Sequence, residues 1–154
     1  MLRDQLNGAL KDAMKAKDAT ATSALRLILA ALKDRDIAAR TKGGSGASEG
    51  LGDEEILGLL QSMIKQRRES IEMYEKGGRA ELAQQEAREI EIIQGFLPAQ
   101  MSADEMAAAI DAVLAETGAD SIKDMGRVMG ALKERHAGAM DFSQASKQIK
   151  ERLM

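Results

Sequence analysis

The fold class is indicated most clearly by residues 53–78, which read DEEILGLLQSMIKQRRESIEMYEKGG. Apolar side chains recur there every three or four positions, the spacing of one face of an α-helix. They are Ile56, Leu59, Leu60, Met63, Ile64, Ile71 and Tyr74. Asp53 is predicted to cap this helix, and Gly77-Gly78 to end it with a left-handed residue. We therefore predict a helix of about 24 residues, roughly 36 Å long.

A second amphipathic pattern follows the two glycines and runs from about Arg79 to Leu97. Its apolar positions are Leu82, Ala83, Ala87, Ile90, Ile93 and Leu97. Pro98 stops this helix, because the residue before a proline disfavours helical backbone angles. The short glycine link predicts that the two helices form an antiparallel hairpin.

Two further helices are predicted before residue 53. The first carries Leu2, Leu6, Ala9, Leu10, Ala13 and Met14. The second begins near Asp18 or Thr20 and ends near Arg40. Its apolar face consists of Leu25, Ile28, Leu29, Leu32 and Ile37. The glycine- and serine-rich segment 42–52 that follows is predicted to be a flexible loop.

The last third of the chain has three shorter helical patterns. The sequence from Ser102 to Glu105 is a capping box that opens the first, and Gly118 ends it. Ser121 is predicted to cap the second, which ends near Arg135, and Ser143 to cap the third.

These patterns together predict an all-α protein, because no segment alternates in the manner of a strand. The change from long to short helices falls near Pro98. We therefore predict two parts: an N-terminal domain at 1–98 that contains the long-helix hairpin, and a three-helix C-terminal domain at 99–154.

Composition restricts the class of protein. The chain is 44% hydrophobic but only 2% aromatic, so its core must be aliphatic. A net charge of −3 does not favour bulk attraction to nucleic acid, and any RNA contact needs a local basic patch. No apolar run reaches the roughly 18 residues of a membrane span. The charged first turns are unlike a signal peptide. We therefore predict a cytoplasmic protein with no membrane partner.

No group of residues has the spacing of a catalytic or metal centre. The chain has no Cys, and its single histidine, His136, cannot form a metal cluster alone. His136 sits near a helix C-terminus, where an imidazolium is favourable. Lys42 precedes the glycine-rich segment, whereas a P-loop lysine follows its glycines. The adjacent carboxylates lie at helix starts or on turns predicted to face solvent, so we predict that they are solvated. We predict no catalytic residue, no metal and no cofactor.

Two segments are candidates for binding. Lys65, Arg67 and Arg68 place three positive charges in the third helix, either as an exposed face with ion pairs or as a phosphate-contacting patch. Gly126 and Gly130 stand on one helix face, although each costs roughly 1 kcal/mol relative to alanine. Two glycines on one face leave a groove in which another backbone can approach the helix closely. The favoured interpretation is that this backbone is a helix of the same domain, and the alternatives are a protein partner and RNA. The charges nearby are Lys123, Arg127, Lys133 and Arg135.

Several motifs of this chain, taken with their order and spacing, resemble those of the YqeY-like proteins. A related domain forms the C-terminal end of the B subunit of glutamyl- and aspartyl-tRNA amidotransferases. At the C-terminal end they are MGRVMGALK at 125–133, Gly138, DFS at 141–143 and IKERL at 149–153. Upstream they are ALRLILAALK at 24–33, MIKQRRESI at 63–71 and FLPAQ at 96–100. The resemblance covers essentially the whole chain and implies an all-α, two-part architecture.

The resemblance also implies a function. In the amidotransferase, a carbon–nitrogen ligase with glutamine as amide donor, the corresponding tail helps to bind tRNA. The tRNA-facing positions carried over are Arg127, Gly130, Lys133 and Gly138, and Lys123 and Gly126 join them from the residue pattern. Many relatives have a basic residue between Gly138 and Asp141, where this chain has Ala139-Met140.

The first functional hypothesis is therefore an accessory module without autonomous catalysis, whose partner is tRNA or a tRNA-charging or amidotransferase component. The rival hypothesis is a protein-interaction module with no RNA binding. The oligomeric state does not follow from the sequence.

Overall fold

The structure is a computed structural model that describes residues 1–42 and 50–154. Within these ranges every regular element is helical, which confirms the all-α prediction. The α-helices are α1 Leu2–Lys15, α2 Ala19–Lys42, α3 Asp53–Lys76, α4 Ala80–Gln94, α5 Ala103–Thr117, α6 Met125–His136 and α7 Phe142–Leu153. A short 3-10 turn at Ile122–Asp124 leads into α6. The loop predicted at 42–52 falls mostly on residues outside the described ranges.

The chain divides into two compact units, Met1–Leu97 and Pro98–Met154. Each has its own aliphatic core. The further idea that 1–98 and 99–154 are independent domains stays a prediction. Among the described helices, none is long and apolar enough to cross a membrane.

The first unit is built around α3 packed along α4, with α1 against α2 and α2 against α4. Its most deeply buried side chains are Leu6, Ile28, Leu32, Ile56, Leu60 and Ile93. The predicted end of α3 is confirmed, with the left-handed residue at Gly78 (φ +73°). The Arg79 amide donates to the Tyr74 carbonyl at 2.8 Å, which closes the helix end before the turn into α4.

The predicted inner face of α2 is wrong at one position. Ile37 is 49% exposed, whereas its neighbour Asp36 is 9% exposed. Arg3 explains this, because its guanidinium donates to both Asp36 carboxylate oxygens, at 2.7 and 3.0 Å. Asp36 also accepts from the Leu51 amide at 2.9 Å. The pair with Arg3 lowers the pKa of Asp36, so a charged group is retained at a buried position.

The ends of α3 and α4 also differ from prediction. Gly52, not Asp53, occupies the cap position of α3, and the Asp53 carboxylate accepts instead from the Leu2 amide at 3.2 Å. Helix α4 ends at Gln94 rather than Leu97, since tight turns carry the chain into Pro98. Ala87, predicted on the inner face of α4, is exposed.

In the second unit α5 packs on α6, and α7 packs on both. The Ser102–Glu105 capping box is confirmed, as is the left-handed Gly118 (φ +64°) after α5. The buried core residues of the second unit are Met106, Ile110, Val113, Val128, Leu132, Met140, Ala145 and Ile149.

Two predicted caps in this unit are wrong. Ser121 precedes the 3-10 turn and makes no capping bond through its side chain. Helix α7 is capped by Asp141, whose carboxylate accepts from the amides of Ser143 and Gln144, rather than by Ser143. A carboxylate suits this place because it accepts from the first free amides of the helix.

Candidate functional site

Helix α6 turns its two glycines away from the core. Val128 and Leu132 are fully buried on the inner side, whereas Gly126 and Gly130 are exposed. A Cβ atom built on either glycine would meet nothing within 4 Å. The favoured interpretation, that the glycines admit a neighbouring helix of the same domain, is therefore wrong for the described residues.

Basic side chains border this glycine face. Arg127 lies three positions before Gly130 and Lys133 three positions after it, one helical turn away in each case. Lys133 is exposed, as is Lys123 in the 3-10 turn before the helix. We call the exposed surface formed by Lys123, Gly126, Arg127, Gly130 and Lys133 the α6 face.

Two arginines of α6 are held by carboxylates. The Arg127 guanidinium donates to Asp124 Oδ1 at 2.9 Å, and Arg135 pairs with Glu116 of α5. Asp124 Oδ2 also accepts from the Asp120 amide at 3.2 Å. That backbone bond, helped by the Arg127 charge, lowers the pKa of Asp124, so its carboxylate is ionised at neutral pH.

Gly138, which the family resemblance carried over as a tRNA-facing position, is not part of the exposed α6 face. It is buried, and its φ of +80° is a conformation that glycine adopts without strain. The Gly138 carbonyl accepts from Gln100 Nε2 at 2.7 Å, and the Ala139 carbonyl accepts from the Met101 amide at 2.9 Å. These bonds fix the loop that follows α6, so the role of Gly138 in this structure is to shape the backbone.

The position that departs from the family pattern is also internal. Met140 is fully buried in the core of the second unit, and Ala139 is half-buried. Residue 140 of this chain therefore contributes packing rather than surface charge.

The second candidate patch is not a single surface. Lys65 and Arg68 are exposed, but the Arg67 side chain is 12% exposed and donates to Glu89 of α4 at 3.0 Å. Glu86 lies 4.0 Å from the same guanidinium. Arg67 is thus an ion-pair partner between α3 and α4.

This pairing also corrects the prediction that all neighbouring carboxylates are solvated. Glu89 is 8% exposed, and burial together with the nearby charge of Glu89 raises the pKa of Glu86. The two carboxylates share one arginine at a mostly buried place.

His136 is the last residue of α6, which confirms its predicted place near a helix C-terminus. It is half-buried. In the part of the chain that the structure describes, no three His, Cys, Asp or Glu side chains are grouped to hold a metal ion. The sequence alone did not predict the contact of Asp124 with Arg127 or that of Gln100 with the Gly138 carbonyl. Asp124 had a usable signal, since it stands three residues before Arg127 on adjoining helical turns. Gln100 had none, because its partner is 38 residues away.

Comparison with known proteins gives a family and a set of relatives. The family model described as Yqey-like protein matches residues 3–153. Altered inheritance of mitochondria protein 41, mitochondrial, from Eremothecium gossypii is 38% identical over 109 residues, covering 70% of this chain and 56% of that protein. The protein of the same name from Lachancea thermotolerans is 36% identical over 88 residues, covering 57% and 43%.

A third relative of that name, from Pyrenophora tritici-repentis, is 29% identical over 152 residues, covering 96% of this chain and 78% of its own length. This chain spans about half the length of the first two relatives. All three are named as mitochondrial proteins, and this finding makes the predicted cytoplasmic location wrong.

The resemblance seen in the motifs is confirmed by the family match, which begins at the second residue of α1 and ends at the last residue of α7. With 151 of its 154 residues inside the matched range 3–153, the chain belongs to the YqeY-like protein family.

Proposed function

We propose that this chain is an accessory module without catalytic activity of its own, which docks the sugar-phosphate backbone of tRNA on the α6 face. The observation that carries the proposal is that two open glycines, Gly126 and Gly130, lie one helical turn apart among basic side chains. Gly8 in α1 and Gly58 in α3 are equally open, but each stands singly in its helix. Glycine inside a helix is unfavourable, and no described neighbour packs close enough to require it here. The close approach of a partner backbone supplies a reason.

RNA is favoured over protein by the residues that border the glycines. Lys123 and Lys133 are exposed near the two ends of the face, and Arg127 lies between them. Lysine and arginine side chains contact phosphates without reading sequence, as suits a positioning surface. Between the glycines, Val128 is fully buried and Met129 is partly buried against the core, while Ile122, beside Lys123, is 46% exposed. Lysine is depleted at protein interfaces, so Lys123 and Lys133 favour RNA. The resemblance to the amidotransferase tail supports the same partner class.

The test is binding of an unmodified tRNA transcript to the full chain, measured across a range of salt concentrations. Affinity should fall as salt rises, because binding releases counterions from the phosphates. Lys133→Ala should weaken binding by up to about 5-fold, since an exposed ion pair contributes roughly 0.2–1 kcal/mol. It should also reduce the log–log salt slope by about one.

Lys11→Ala is the matched control. Lys11 is an exposed lysine of α1, in the other unit, and its loss should leave the affinity and the slope unchanged. Equal effects of the two substitutions would mean that only net charge matters. No measurable tRNA binding by the wild type at low salt would refute the proposed function and favour a protein partner.

A further inference from the structure

We propose that Asp124 is an internal competitor for RNA phosphate: it holds the Arg127 guanidinium at the start of α6, and RNA must displace it to use this arginine. The inference rests on the proposed function and adds to it a regulatory contact within the α6 face.

The geometry places the competitor at the edge of the face. Arg127 Nη2 donates to Asp124 Oδ1 at 2.9 Å, three residues earlier in the chain. The Arg127 side chain is 56% exposed, so a phosphate can reach it, whereas the Asp124 side chain is 25% exposed. The arginine is therefore the more accessible partner of the pair, and the carboxylate the more enclosed one.

Backbone contacts explain why Asp124 stays in place. Its second oxygen, Oδ2, accepts from the Asp120 amide at 3.2 Å, and its own amide donates to the Ser121 carbonyl at 3.0 Å. The carboxylate thus closes the turn before α6 with one oxygen and holds Arg127 with the other. A phosphate approaching the glycines competes with Asp124 for the same guanidinium, because both are anionic acceptors that suit its donors.

Asp124→Asn separates these two roles. The asparagine keeps one side-chain oxygen for the Asp120 amide but loses the negative charge that attracts Arg127. Relative to the wild type, Asp124→Asn should bind an unmodified tRNA transcript about 2- to 5-fold more tightly, the range that an exposed ion pair can exert. Its log–log salt slope should be steeper by about one phosphate contact.

Glu116→Gln is the control for the loss of one negative charge. It frees Arg135 in the same way, but Arg135 lies five positions after Gly130, about 140° around the helix. If both substitutions raise affinity equally, the effect is general charge and the proposal fails. An unchanged or weakened affinity in Asp124→Asn would also overturn it.

Arg127→Ala gives a second readout that leaves Asp124 intact. In the wild type it should weaken tRNA binding, because Arg127 belongs to the α6 face, but by a smaller factor than in Asp124→Asn, because Asp124 already engages the guanidinium. In the Asp124→Asn background the same substitution should remove the whole gain, and this non-additivity is the signature of the competition. An equal loss on both backgrounds means that Asp124 does not restrain Arg127, which overturns the inference while leaving the proposed function standing. Absence of tRNA binding in every variant refutes the proposed function, and the inference with it.

Discussion

At the scale of single residues, the glycines of this chain differ in how much space surrounds them, and this difference indicates different roles. Gly126 and Gly130 have open space where a side chain would start. Gly50 has a φ of +81°, and a Cβ there would lie 2.5 Å from Asp36 Oδ1 and 2.9 Å from Arg3 Nη2. The first two are therefore free to change within the isolated protein, whereas Gly50 is required beside the Arg3–Asp36 pair.

This contrast predicts opposite effects of alanine. Gly126→Ala and Gly130→Ala should each raise the free energy of unfolding by up to about 1 kcal/mol, because alanine is the better helix former. Gly50→Ala should lower it by about 1–3 kcal/mol, because the left-handed backbone and the ion pair resist a side chain. Urea unfolding followed by circular dichroism measures all three. Loss of stability in Gly126→Ala or Gly130→Ala would show that these glycines are packed after all.

Residue roles were predictable from sequence where the signal is local. The paired glycines and the charges around them stood out because of their spacing along one helix. The partners of Arg67 and Arg3 did not, since Glu89 is 22 residues from Arg67 and Asp36 is 33 residues from Arg3. Those pairings depend on which helices pack together, and helical periodicity alone cannot supply this.

At the scale of elements, the seven α-helices of residues 1–42 and 50–154 followed from apolar periodicity, whereas the positions of several helix ends did not. Leucine and isoleucine at positions 56, 59, 60, 90 and 93 predicted the buried seam of α3 and α4 correctly. Cap assignment failed where two capping residues stand close together in the sequence. Asp141 and Ser143 are both suitable capping residues, and the structure gives the capping bonds to Asp141, which directly follows the buried Met140.

The cap correction yields a direct prediction for α7. Asp141→Ala should lower the free energy of unfolding of the second unit by about 1 kcal/mol, because two helix amides lose their acceptor. Ser143→Ala should change it by less than about 0.5 kcal/mol, since Ser143 offers no capping bond. Comparing urea midpoints of the two variants decides between the caps. A larger loss for Ser143→Ala would reverse the assignment.

The Arg67–Glu89 pair belongs to the same scale, because it joins α3 to α4. With both side chains close to nine-tenths buried, removal of one partner leaves an uncompensated charge inside the unit. Such a pair is weak evidence for added stability, but it is strong evidence that Arg67 is not available at the surface to contact a phosphate. The basic run at 65–68 is better understood as two surface charges beside one structural arginine.

At the scale of the whole molecule, the chain consists of two helical units, and the candidate surface lies entirely in the second, Pro98–Met154. With a net charge of −3, the molecule has no general attraction for RNA. Any affinity must therefore come from a local arrangement such as the α6 face, and it must be sensitive to single substitutions there. The all-α class and the position of this face were predictable from sequence, whereas its openness required the packing of α5, α6 and α7.

The central claim is that the α6 face is open in the free protein and is occupied by RNA. Gly130→Leu tests it most directly, because a leucine there projects into open space and blocks the approach of a partner. Its unfolding free energy should equal or slightly exceed that of the wild type, by up to about 1 kcal/mol, since leucine is the better helix former. The measurement is salt-titrated binding of an unmodified tRNA transcript by the 154-residue variant and the wild type. We predict that the wild type binds with a steep salt dependence and that Gly130→Leu, equally well folded, loses at least tenfold in affinity. Wild-type affinity in a folded Gly130→Leu protein would contradict the claim.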